Sequence, residues 1–510
     1  MSGGYCAHPT LGQPPLEPEP RPDDAGCRRP ASRRRRSRPR SIEGEPMTVQ
    51  ITAEDIAQEL GISVRGPVLT ADAPDYAAEV AAFNLAVSQH PLVAVGALDA
   101  EDVATVVQVA RLHGWKVAVQ TTGHGAMHPI DAQILISTRR LDAVDIDAQA
   151  KVARIGGGVR WAAVVPAAAE HGLLPITGSS PNVGVVGYLM GGGLGPLARS
   201  FGYSSDYVVG ATVVSGTGEI LEVSADAHPD LFWAIRGGKY ELGIVTEIRV
   251  RLIELSTIYG GALLFGTDDI ERVLRGWAEW TLSAPDAVTT SLLVAKFPDL
   301  DLLPPFLRGR QVAMLRFAYP GDPDEGARLA APLRALATAE QDAIRPLAST
   351  DLGQIHNDPT DPGPSWLRGA FLSALPAEAA SILLETFTAP DAPYTMLELR
   401  HYGGALVESA VDSAVGGRDV HIAMGFGGFN PTRFADLPSA ADALLDRLEP
   451  WLAPETNINF TGDQFGARHP LAAWSDEKAS RIAGVQGRYD PDGLFHWWDA
   501  GERGAVGAER

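Results

Sequence analysis

Gln120-Thr121-Thr122-Gly123-His124-Gly125 follows directly on the apolar run Val117-Ala118-Val119, so a strand here ends in a turn of small residues. Such a strand end presents consecutive backbone N–H groups, a nest suited to a pyrophosphate. Working outward, Leu92-Val93-Ala94-Val95 reads as a short apolar strand. Residues 99–113 read as an amphipathic helix with Ala100-Glu101-Asp102 in its first turn, which makes the stretch a β-α-β unit. Further strands are expected at 134–136, 152–155, 208–214, 220–223 and 244–252. On the N-terminal side, 52–60 reads as a helix capped by Thr52, and 76–87 has helical apolar spacing.

Glycine costs backbone entropy on folding, so a dense cluster of it calls for a reason. Two more clusters follow the first. Residues 178–195 hold Gly178, Gly184, Gly187, Gly191, Gly192, Gly193 and Gly195, a stretch that cannot be a core helix and can bring main chain close to a large flat ligand. Gly237-Gly238 then precedes Gly243-Ile244-Val245, a turn entering a strand. A tight turn accounts for any one cluster alone and is a poorer account of all three. None contains Gly-Lys-Ser or Gly-Lys-Thr, and no well-placed Gly-x-Gly-x-x-Gly opens a helix, which disfavours nucleotide hydrolysis and a Rossmann NAD site.

The 510 residues exceed one hydrophobic core and predict two large domains. At 45% hydrophobic and 21% charged residues the chain is globular, and a net charge of -21 argues against nucleic acid or an anionic membrane as partner. No run of eighteen apolar residues occurs, so no membrane span is expected. Cys6 and Cys27 both fall in 1–46, leaving the body with no disulfide framework, no cysteine metal site and no expected metal. That segment has nine prolines and nine arginines against six acidic residues, so it reads as a disordered tail, or as an extension ahead of a true start at Met47. Its Arg33-Arg34-Arg35-Arg36 run is followed by no apolar export region, and a cytoplasmic location is expected. Residues 257–455 form a second unit with strands at 260–265, 289–294 and 312–318 and helices at 325–340 and 377–387. A last helix at 474–487 leads to Tyr489-Asp490-Pro491-Asp492-Gly493.

The run 92–252, taken with the Tyr489-Asp490-Pro491 ending, resembles the FAD-binding PCMH-type domain of the vanillyl-alcohol-oxidase superfamily. The similarity is to its berberine-bridge-enzyme-like, oxygen-dependent FAD-linked oxidase branch. It implies an α+β fold with a two-part FAD-binding domain over 47–256 and an α/β substrate domain over 257–455, its antiparallel sheet flanked by helices. A segment 456–510 would return to the first domain. The implied cofactor is FAD, with Thr122-Gly123-His124-Gly125 at the family's Gly-Gly-His motif, so that His124 would carry the bond to the flavin 8α-methyl carbon. Gln120, Thr121, Ser180, Pro181, Asn182, Val183, Gly184, Gly187, Gly191, Gly192, Gly193 and Gly195 fall in the flavin-lining segments, followed by Arg199, Gly202 and Asp206. Asp230-Leu231-Phe232-Trp233-Ala234-Ile235-Arg236-Gly237-Gly238 and Gly243-Ile244-Val245 resemble a third such segment. Asn459, in Asn457-Ile458-Asn459, matches the Asn of the family's Tyr-x-Asn element.

Three departures carry weight. Ser180 stands where many members have a second attachment cysteine, which limits attachment to one bond. Gln120-Thr121-Thr122 replaces an Arg and glycines, so phosphate binding would rest on backbone N–H groups and Thr hydroxyls. Asn457 replaces the Tyr that serves as base in sugar oxidation, which points away from sugars.

On the substrate side, Glu398, Arg400 and Tyr402 alternate and share one strand face, as an active-site row or as a surface ion-pair face. Glu398, Tyr402 and His421 are the candidate catalytic groups. Val183 is a small residue at the position that, in the family, leaves room for dioxygen beside the flavin. The implied activity is hydride transfer from a small organic substrate to FAD, with electrons passed to O₂ to give H₂O₂. A dehydrogenase using a quinone or protein acceptor, and a flavin-binding protein without turnover, are the alternatives.

Overall fold

The hydroxyl of Thr52 accepts the Asp55 N–H while the Asp55 carboxylate accepts the Thr52 N–H, a reciprocal cap that starts helix Ala53–Leu60. The computed structural model describes residues 51–496 apart from 302, 465, 466, 469 and 470, so the reading of 1–46 lies outside the described residues. Beyond the first helix, Val93–Gly96, Ile134–Ser137 and Val117–Gln120 form a parallel sheet, with Val68–Leu69 antiparallel on its edge. Helix Ala100–His113, capped by Asp99, makes the crossover, so the expected β-α-β unit is present with Ile134–Ser137 seated between its two strands. The side chains of Val93–Gly96 and Ile134–Ser137 are buried throughout, as parallel strands covered on both faces must be.

A second, antiparallel sheet runs Val144–Asp147, Val152–Gly156, Ile244–Arg251, Val208–Val214, Ile220–Val223. Its core joins Trp161, Leu189, Trp233 and Ile248 to Trp474, Ile482, Val485 and Tyr489, so helix Asp476–Tyr489 packs on elements some 230 residues earlier in the chain.

The largest sheet is antiparallel, in the order Gln341–Asp342, Thr257–Phe265, Gln311–Tyr319, Thr289–Lys296, Met396–His401, Ile422–Gly428, Trp366–Leu372. One face carries Leu292, Leu315, Leu397 and Leu399 against helices Ile270–Thr281, Pro323–Arg334, Ala377–Thr388 and Leu437–Leu448. Because strand side chains alternate, the intervening Ser291, Arg316, Glu398 and Arg400 point the other way. The architecture is α+β, with an antiparallel sheet flanked by helices. No helix among the described residues is long and apolar enough to cross a membrane.

Three local expectations are corrected. The helical spacing of 76–87 yields a helix only at Tyr76–Val80, because the Gln120 amide takes the Val80 and Ala81 carbonyls and Phe83 N–H donates to the Thr122 carbonyl. The helix expected over 325–340 ends at Arg334, since Gln341–Asp342 must pair with Leu263 and Leu264. Within the glycine-rich stretch, Val185–Met190 is a short helix with Val185, Val186, Leu189 and Met190 buried.

Candidate active site

The three glycine clusters and the Asn457–Asn459 element, separate in sequence, meet in space. Gly184 faces the methyl groups of Thr121 and Thr122, so the second cluster touches the first. The N–H groups of Gly237 and Lys239 donate to the Met190 carbonyl, which ties the third to the second. Lys239 Nζ lies beside Gly125 and 2.6 Å from Asn459 Oδ1, and the Asn459 amide donates to the Tyr188 carbonyl at 2.9 Å. A side chain at Gly191 would collide with Asn459, so glycine is required there. Gly123 has φ +68° and lies against Ala82, and both features also demand glycine. Gly192, Gly193 and Gly243 have positive φ as well, Gly195 approaches the Thr177 carbonyl, and Gly187 is exposed. Ile244 and Val245 are buried and pair with Val214 and Val213.

His124 belongs to the first of these segments, next to Gly125. Its Nδ1 is 2.9 Å from the Thr122 hydroxyl, while Nε2 is buried without a hydrogen-bond partner. Burial, aided by the positive charge of Arg160, pushes the imidazole down to about 4, so the ring is neutral near pH 7. The hydroxyl of Ser180 is likewise buried and unpartnered. The backbone N–H groups of Gly123, His124 and Gly125 donate to nothing among the described residues. A neutral ring nitrogen, a free hydroxyl, free backbone donors and side-chain-free main chain fit a flavin dinucleotide.

The phosphate expectation is narrowed. Gln120 is spent on the Val80 and Ala81 carbonyls, and the Thr121 hydroxyl donates to the Gly157 carbonyl and meets Thr138. Neither Gln120 nor Thr121 is therefore free to hold a phosphate, which leaves the backbone N–H groups as the donors of this turn. Asn182 is turned to the Thr360 carbonyl, Pro181 is exposed, and Val183 is partly buried against the second sheet's core.

On the facing sheet, Ser291 pairs directly with Arg316 on one side and Arg400 on the other. Glu398 bonds to both guanidiniums, at 2.5 Å from Arg316 and 2.8 Å from Arg400. Burial raises the Glu398 carboxyl, but the two arginines outweigh that and hold it below the usual range. Glu398 is thus a shared counter-ion rather than a free base, and its burial removes the surface-face alternative. Tyr402 is buried 2.8 Å from the Tyr203 hydroxyl, and burial, then Tyr203, pushes its phenol far up, so it holds its proton. His421 lies 3.0 Å from Thr281 on a flanking helix and against His401, and it does not line the cavity between the sheet and Leu194-Gly195. Tyr402 is thus a proton holder, and His421 stands outside the cavity.

Four residues enter only with the structure: Phe83, stacked on His124; Lys239; Arg316; and His356, whose ring lines the cavity with Nδ1 unpartnered. Arg316 was readable as a charge inside an otherwise apolar strand run, the one sequence signal any of them carried. Among the described residues no His, Cys, Asp and Glu cluster could hold a metal.

Residues 91–224 match the family described as FAD binding domain. The chain is 34% identical over 238 residues to (R)-6-hydroxynicotine oxidase of Paenarthrobacter nicotinovorans, covering 46% of this chain and 49% of that protein. It is 37% identical over 175 residues to FAD-dependent monooxygenase FUP4 of Fusarium proliferatum, covering 34% of each. The matches thus span about half or less of these curated relatives. Among solved structures, 6-hydroxy-D-nicotine oxidase from Arthrobacter nicotinovorans superposes with TM-score 0.71 at 24% identity, covering 85% of this chain and 97% of that one. The BBE-like 1 protein of Physcomitrella patens gives TM-score 0.75 at 17% identity over 89% and 100%.

Proposed function

On the premise that residues 91–224 are an FAD binding domain set in the fold of PCMH-type FAD oxidases, we propose that this chain is an FAD-dependent oxidoreductase acting on a small organic substrate, with O₂ as electron acceptor. The observation that carries the reading is the meeting of four glycine- or Asn-bearing segments around Lys239 and Gly125, the chain neighbour of His124, whose Nε2 is buried and unpartnered. FAD, when bound, supplies the acceptor for the substrate's hydride.

The chain's own residues do the rest. His124, neutral and pinned by Thr122, is the one attachment point, since Ser180 offers no thiol. Lys239, held by Asn459, sets a positive charge beside Gly125, where it stabilises negative charge that develops in the site. Leu194, Pro196, Ala198, Phe317 and Ile355 form an apolar wall that excludes water. His356, kept neutral by burial and by Arg316 and Arg400, lines the cavity with Nδ1 unpartnered and offers a hydrogen bond there rather than a base. Val183, small and partly buried, supports access for O₂ over a bulkier carrier.

Stopped-flow mixing of the reduced protein with O₂ tests the acceptor. Reoxidation well above the rate of free reduced flavin is expected; a rate no faster transfers the assignment to a dehydrogenase.

A further inference from the structure

The row Arg316–Ser291–Arg400 crosses three adjacent strands and places an arginine on either side of a serine. Glu398 is the one carboxylate bonded to both, so the buried group carries a net positive charge. His356, 3.8 Å from Glu398, is neutral and adds none. The other carboxylate acting on Arg400, Asp358, is only partly buried and makes no ion pair with either guanidinium among the described residues. A cavity opens beside the group, lined by Arg316, Arg400, Ser291, His356, Leu194 and Phe317, and no carboxylate lines it. Two of its lining residues, 4% and 8% exposed, carry polar atoms buried without partners, Ser291 Oγ and His356 Nδ1. A buried surplus cation and unused donors call for an anion that supplies both charge and acceptor oxygens.

We propose that this cavity is a carboxylate subsite: the substrate is a small carboxylic acid whose carboxylate is held between Arg316 and Arg400 and accepts a hydrogen bond from Ser291. That the occupant is the substrate rests on the oxidoreductase reading; that the cavity takes a carboxylate does not. Two guanidiniums sharing one acid favour a planar two-oxygen anion over an amine or a neutral amide.

Titration calorimetry on the protein as purified, with its flavin content read from the visible spectrum of the same sample, tests this. The cavity holds about 20 Å³, so formate and acetate are the probes, with acetamide and methylammonium as neutral and cationic counterparts. Saturable carboxylate binding is expected, weakened by about tenfold or more in Arg316→Met and Arg400→Met and severalfold in Ser291→Ala. Absence of saturable carboxylate binding, equal or tighter binding of acetamide or methylammonium, or unchanged affinity in these variants overturns the proposal. Should the arginine variants fail to fold, Ser291→Ala decides by itself, because it removes a single unpaired oxygen. A yellow protein that ignores carboxylates sinks the subsite alone. A colourless protein that binds them through Arg400 keeps the subsite and sinks the flavin reading.

Discussion

His124 lies flat on Phe83, with ring centroids 3.7 Å apart and planes 13° from parallel. The stack covers one face of the imidazole while Thr122 bonds to Nδ1, which leaves Nε2 as the nitrogen without a partner. Phe83 reaches this position because the chain leaves its helix at Val80 and runs extended across residues 122–124.

The first prediction concerns that bond. After acid precipitation the flavin of the native protein should stay with the pellet and fluoresce as a band on a denaturing gel. In His124→Ala all of it should appear in the supernatant, and in Phe83→Ala the attached fraction should fall.

Gly191→Ala should force the Asn459 side chain out of its place between Lys239 and Tyr188. Overpacking of this kind costs about 1–3 kcal/mol, read from urea midpoints. Asn459→Ala in the same chain should recover much of the loss, since it removes the group that collides.

Glu398→Gln should leave two buried guanidiniums without their shared counter-ion and cost about 3–5 kcal/mol in the same assay. By contrast Glu385→Gln, which breaks the exposed pair with Arg447, should stay within about 1 kcal/mol.

A fourth prediction is pH dependence. Burial, then Arg199, pushes His401 down to about 2, so the folded chain refuses a proton that the unfolded chain accepts below its ordinary pKa near 6.5. The stability held by the neutral ring is complete above that ordinary value and is lost progressively as pH falls toward the folded one. His401→Phe should therefore show a shallower decline of urea midpoint between roughly pH 6.5 and 4, by about one proton's worth of slope.

The strands legible from the chain were those with unbroken apolar runs or clean alternation: Val208–Val214 and Ile220–Val223 appear with the limits expected. Misread segments were those whose backbone finds partners far away, as when Phe83 N–H chooses Thr122 over a second helical turn. The substrate side followed the same rule. Alternation correctly put Glu398 and Arg400 on one face, yet said nothing of Arg316, two strands away, which turns Glu398 from a candidate base into a counter-ion.

By itself the sequence determined the clusters of glycine, the identity of His124 at a strand end, the absence of a thiol at Ser180 and the α+β alternation. These depend on residue type and near-neighbour spacing, which are local. Tertiary structure alone decided that Nε2 of His124 is the unpartnered nitrogen, that Gln120 and Thr121 are spent on main chain, and that two arginines close on one glutamate. Charge state, hydrogen-bond satisfaction and burial are sums over neighbours distant in the chain, and only the packed fold brings those neighbours within reach.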